Sequence, residues 1–183
     1  MNSTQLVQVL QVLFPAMLQG ANGYTIAVDS SGNASILLWN NSFGAQPTVA
    51  QLTAELAALQ LAQAKQAQIA IIAQASAAAQ TTGFSSSALG SAYTYPSGLQ
   101  DQANLTACIV ASLLPGNPTT WTCLFWCTSS AGASNFVSHT AAQIQQVGQN
   151  ALAAIMACKS KQLTLTEEIL SATTITAVQG VVW

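Results

Sequence analysis

Apolar and polar positions along this chain follow helical spacing more often than strand alternation, and the longest regular stretch runs from Pro47 to Gln80. It reads PTVAQLTAELAALQLAQAKQAQIAIIAQASAAAQ, with neither glycine nor proline after its first residue. Alanine, leucine and glutamine dominate it, and all three are good helix formers. Thr48 and Gln51 stand in capping-box spacing, in which the hydroxyl takes an orphan N–H of the first turn and the amide reaches back to the cap. About 30 helical residues at ~1.5 Å each predict a rod of roughly 45 Å. Its apolar seam passes through Leu52, Leu56 and Leu59, turns polar at Gln63 and Gln66, and resumes at Ile69, Ile72 and Ala73. Leu61 and Ile71 lie off that line. The spacing fits a core helix, and it equally fits a self-associating bundle whose seam glutamines fix register. These eight seam positions are the candidate oligomer interface.

Before the rod, Leu6, Leu10, Leu13 and Phe14 share a helical face, capped by Asn2 and ended by Pro15. Tyr24 to Asp29 and Ala34 to Trp39 read as strands about the turn residues Ser30 to Asn33. Residues 1–46 thus form a small helix-plus-hairpin unit, too small to be stable alone and expected to pack on the long helix or on a second copy. Residues 47–82 are the rod, stopped by Gly83, and residues 83–183 a compact helical domain with a hairpin. In that last part Phe84 to Gly98 reads as irregular, and Ser97 with Gln100 predicts a helix from Gly98 to Leu114, broken by Pro115, Gly116 and Pro118. Thr120 to Cys127 is rich in strand formers, and Phe136 and Val137 fall on its hairpin partner across Ser129 to Gly132. Thr140 with Gln143 opens a helix to about Lys161, with Ile144, Val147, Ala151, Ile155 and Cys158 on its buried face. Thr164 with Glu167 predicts another helix to Ala172, and Thr176 with Gln179 a last turn. The fold class expected is α+β: mainly α with small β hairpins, a long central helix as candidate trimeric coiled coil, and a compact C-terminal helical domain.

Charge changes this picture. Three Lys, no Arg and five acidic residues make 4% of the chain charged, against about 25% in ordinary domains. Such a surface has little repulsion to keep copies apart, and favours assembly. Three scattered lysines also argue against nucleic-acid binding, which draws its affinity from neutralising phosphates. No P-loop pattern and no strand-linked GxGxxG occurs. Leu6 to Leu18 is apolar but interrupted by glutamines, with no basic residue before it, which argues against a secretory signal. No run of about 18 apolar residues predicts a membrane span. The four Asn-X-Ser/Thr sequons (Asn2, Asn33, Asn40 and Asn104) are expected by chance in so amide-rich a chain.

Candidate chemistry is sparse. His139 stands just before the cap Thr140, where bonding to backbone at a strand-to-helix junction is the expected role. A Ser-His-Asp reading would have to recruit Asp101 and an arbitrary serine, without a nucleophile elbow. Asp101 falls in the first turn of its helix, where the helix dipole favours an acid. Glu167 and Glu168 are adjacent and point to different sides of a helix, unlike a paired acid and base. Cys108, Cys123, Cys127 and Cys158 lack zinc-site spacing and read as buried free thiols, with a disulfide formed outside the cell left open. Trp39, Trp121, Trp126 and Trp183 read as packing residues that could also stack on sugars. No catalytic, cofactor or metal site is expected.

Two stretches carry a resemblance. ILLWNNSFGAQPTVAQLTAEL (Ile36 to Leu56) resembles a short module of bacteriophage tail proteins, a strand ending in Trp-Asn followed by Gln-Pro-Thr and a helix. From Gly83 onward the chain resembles the DUF4376 family of phage tail-associated proteins. The residues that carry it are FSSSALGSAYTYPSGLQDQANL (Phe84 to Leu105), the Trp121 strand, HTAAQIQQVGQNA (His139 to Ala151) and the closing Ala-Thr-Thr to Trp183. The low charge departs from many relatives. The resemblance implies a virion structural protein of the tail, assembled in the bacterial host cytoplasm: a short fibre or fibre-attachment protein. It would be homotrimeric and bound to fibre, adaptor or baseplate-like components. A tail-fibre assembly chaperone absent from the particle is the alternative, and a receptor binder using the tryptophans or the Tyr93–Tyr95 loop a third.

Overall fold

A computed structural model describes residues 1–183 and divides them into two compact units. The first comprises Met1–Ala67 and Ala172–Gln179, the second Gln68–Ser171 and Gly180–Trp183. The boundary between the units falls within the long helix, between Ala67 and Gln68. The class is α+β, with two small antiparallel sheets.

In the first unit, helix α1 (Ser3–Leu13) starts at Asn2, whose side chain accepts from the Gln5 N–H while Gln5 returns a bond to the Asn2 N–H. Leu6, Val9 and Leu10 form its buried face. Strands β1 (Tyr24–Val28) and β2 (Ala34–Trp39) pair as a hairpin. The Asp29 carboxylate closes their turn by accepting from the Ser31 and Asn33 N–H groups, and these bonds hold its pKa below the usual carboxylate value. A 3-10 turn (Asn41–Phe43) leads to helix α2 (Val49–Ala79). Thr48 and Gln51 make the expected reciprocal cap. Leu6, Val9, Leu10, Met17, Tyr24 and Leu52 close into one core, with Leu56, Leu59, Ile36 and Trp39 packed against it. The N-terminal unit is thus completed by the first turns of the long helix, as its size required.

The second unit is a four-stranded sheet in the order β3-β4-β5-β6 with helices α3 and α4 against it. Strands β3 (Phe84–Ser86) and β4 (Tyr93–Tyr95) occupy the stretch read as irregular. At three residues each they fall below the length at which alternation is legible, and neighbouring strands hold them in place. Helix α3 (Leu99–Ser112) is capped at Gly98, whose N–H donates to Asp101. Ser97 is not the cap, because its hydroxyl is spent between the Gln80 carbonyl and the Gly83 N–H. Strands β5 (Thr122–Ser129) and β6 (Ser134–Thr140) form the long hairpin.

Helix α4 runs unbroken from Ala141 to Ser171, where two helices were expected. Thr164 lies within this continuous helix, where the backbone N–H groups of the next turn are already bonded, so Thr164 and Glu167 close no capping box. Nearby, the Thr166 hydroxyl bonds back to the Gln162 carbonyl. Helix α5 (Ile175–Gly180) is capped by Thr174, which accepts from the Ala177 N–H, and not by Thr176. The second core gathers Phe84, Tyr95, Leu105, Phe125, Cys127, Ile144 and Val147. Gly148 brings α4 so close to α3 that a Cβ there would run into the Ile109 side chain.

Candidate functional site

The candidate oligomer seam splits on inspection of its eight positions. Leu52 is buried in the first unit's core, and Leu56 and Leu59 pack on that same core. Ile72 is fully buried, Ile69 and Ala73 are half-buried, and Gln63 and Gln66 are exposed. Knobs-into-holes packing needs a continuous open row of apolar side chains. Here the leucine end is already used inside the chain, so the eight residues do not form one open seam. A stripe of helical apolar spacing is the same signal whether a neighbour in the chain or another copy covers it.

The single histidine sits in a buried polar knot. His139 Nδ1 lies 2.8 Å from the Val137 carbonyl and Nε2 lies 2.9 Å from the Tyr95 hydroxyl. A carbonyl can only accept, so Nδ1 carries the proton and Nε2 accepts from Tyr95. Cys127 also meets the Tyr95 hydroxyl. All three side chains are buried. Burial lowers the His139 pKa and raises those of Cys127 and Tyr95. An activated Cys–His pair needs thiolate beside imidazolium. Desolvation here favours the neutral form of each partner, so the knot locks β4 to β6 rather than presenting a nucleophile. The expected backbone bond of His139 is present; Tyr95 is the partner that the sequence did not disclose, because the short YTYP run carries no strand signal.

Asp101 lies where expected, in the first turn of α3. Glu167 and Glu168 lie within the unbroken α4. All four cysteines are free thiols; Cys127 is buried and the others are half-buried. Cys123 on β5 is pushed well above its usual range, first by burial and then by the neighbouring Cys108 thiol of α3. No three His, Cys, Asp or Glu side chains converge as a metal-ligand set. No helix is long and apolar enough to cross a membrane.

Two concave features remain in the second unit. A half-open cavity of about 280 Å³ is walled by Phe84, Leu105, Ala154, Ile155, Cys158 and Trp183. Its polar lining is already paired: Ser97 donates to the Gln80 carbonyl at 2.9 Å, and Gln102 Nε2 donates to the Ser97 carbonyl at 2.8 Å. Lys161 Nζ sits 4.6 Å from the Trp183 ring centre, closing a cation–π contact. The second feature is a groove beside the β5–β6 hairpin. There Trp126 and Phe136 pair edge to face at 5.1 Å, and with Leu124 they stay exposed to solvent. Trp126 is the exposed member of the four tryptophans; Trp39, Trp121 and Trp183 are half-buried.

Comparison with known families gives one match, in which the model described as a domain of unknown function (DUF4376) covers residues 63–181. No curated protein and no solved structure matches the chain.

Proposed function

The chain belongs to the DUF4376 family through residues 63–181, and from that premise we propose that it is a structural component of a bacteriophage tail. The reading is a short fibre or fibre-attachment protein, built into the virion and bound to other tail proteins. One observation carries it furthest. A molecule with only 3 + 5 charged residues in 183 leaves Leu124, Trp126 and Phe136 exposed on one sheet face. Contiguous exposed apolar surface marks an interaction site, and the near-absence of charge removes the usual barrier to permanent assembly. The motifs from Phe84 to Leu105 and from His139 to Ala151, which resemble phage tail-associated proteins, point the same way.

Assembly as a homotrimer belongs to this proposal. With Leu52, Leu56 and Leu59 committed inside the chain, its contacts would run through other surfaces. Quantitative mass spectrometry of purified particles, scaled to a tail protein of known copy number, tests both points. A stoichiometric count in multiples of three is the expected result. Peptides abundant in infected cells but missing from particles would replace this reading with a transient tail-fibre assembly chaperone.

A further inference from the structure

The hairpin β5–β6 has two sides without a paired strand: the outer side of β6, which ends the sheet, and the side of β5 beyond the end of β4, which faces α3. The Ser129 N–H donates to the Ala133 carbonyl at 2.9 Å and closes the turn. In an antiparallel ladder hydrogen-bonded and non-bonded pairs alternate. With Trp126 opposite Phe136 and Cys127 opposite Asn135, Cys123, Phe125 and Cys127 therefore bond β6. Thr122, Leu124, Trp126 and Thr128 turn their backbone groups the other way. Thr128 meets β4, which pairs with β5 only through Tyr93–Ser129 and Thr94–Thr128. The next step of that register would place Pro96, which has no N–H to give, two residues past Thr94. The chain leaves the sheet there and turns into α3. Leu124 and Trp126 each keep one N–H and one C=O on this edge, with no partner inside the chain.

The edge opens into the groove of about 500 Å³ beside the hairpin. Asp101 and Asn104 of α3 line one wall; Leu124, Trp126 and Phe136 line the other. Natural sheets blunt exposed edges with lysine, proline or bulges. Over Thr122–Thr128 the register is unbroken and none of those devices is present. We propose that an extended peptide segment of a partner protein adds to the open edge of β5 as a fifth strand, seated between Leu124–Trp126 and α3. The edge dictates backbone hydrogen bonding, and Leu124, Trp126 and Phe136 dictate apolar side chains at alternate positions. Asp101 is the one charged residue in the groove, and the chain as a whole carries a net charge of −2. The segment therefore carries a basic side chain at its α3-facing position. Two copies pairing edge to edge would bring their two α3 walls and two Asp101 carboxylates together, which disfavours self-pairing. This strand addition stands on the hairpin edge and not on the virion assignment, so either can fail alone.

Amide exchange of the full chain by NMR supplies the baseline: Leu124 and Trp126 exchange rapidly while Phe125 and Cys127 are protected. A seven-residue peptide alternating valine with lysine and threonine is then added. Three versions serve as probes: the parent, one with glutamate for lysine, and one with N-methylated backbone at alternate residues. The parent slows exchange at Leu124 and Trp126 at least tenfold and shifts Asp101 and Asn104. The glutamate version binds at least several-fold more weakly, and the N-methylated version does not bind. Protection of Leu124 and Trp126 in the free chain would overturn the proposal, and its dependence on protein concentration would assign the edge to self-pairing. Equal binding by the N-methylated peptide, or no binding by the parent, would also overturn it.

Discussion

His139 shows how much one buried side chain can govern. Its imidazole is neutral in the fold, and burial lowers its pKa from the ordinary 6.5. On acidification the unfolded chain takes up a proton first, so stability is complete above about pH 6.5 and declines as pH falls toward the folded value. No other histidine is present to share the effect. Urea midpoints should therefore drop between pH 7.5 and 5.0, and the drop should vanish in His139→Asn. Tyr95→Phe leaves Nε2 without its donor and should cost about 1–3 kcal/mol, measured by urea denaturation at pH 7.5. Gly23 makes a different demand. A Cβ at this position would collide with the Leu18 carbonyl, which is backbone and cannot swing aside. Gly23→Ala should destabilise the chain by about 2 kcal/mol or more, seen as a lowered Tm.

Helix α4 gives the sharpest test among the elements, because Leu163 falls inside it while preceding the threonine once expected to start a new helix. Leu163→Pro removes a mid-helix bond and should cost about 3 kcal/mol. At an N-terminal boundary the same change would be nearly neutral, so chemical denaturation separates the two. How far elements are legible in this sequence follows from what each side chain can reach. Thr48–Gln51 and Thr140–Gln143 are true caps, since nothing else competes for their hydroxyls. Ser97, Thr164 and Thr176 stand in the same spacing and cap nothing, because tertiary partners or a continuing helix intervene. The hairpins β1–β2 and β5–β6 are visible in their strand formers and turns, while β3 and β4 exist only by pairing. The seam of α2 is legible as a buried stripe, but spacing cannot say that α1 and the first hairpin are what cover Leu52. The groove's signal was present in part, as Pro96 directly after Tyr95, yet its meaning depends on β5 lying alongside.

For the chain as a whole, exposed apolar side chains on a nearly chargeless molecule put interaction and solubility in opposition. Leu124 and Phe136 are both about two-thirds exposed, at 65% each. Replacing Leu124 by glutamate removes little packing and should change stability by roughly 0.5 kcal/mol or less, while Phe136→Glu also gives up the edge-to-face pair with Trp126, about 0.5–1.5 kcal/mol. The double variant Leu124→Glu, Phe136→Glu should fold with a Tm within a few degrees of the parent and gain solubility; under the virion role proposed above, it should also be depleted at least tenfold from purified particles relative to the parent chain. Undiminished incorporation would remove this face from the assembly interface.

The Cys108–Cys123 contact has a consequence for durability. Thiol oxidation and exchange start from the thiolate, and Cys123 is held almost entirely as neutral thiol by its surroundings. Attack by Cys123 itself on an oxidant or a disulfide is therefore slowed by its surroundings. In air-saturated medium Cys123 should be slow to react as a nucleophile, which thiol labelling at graded pH would read.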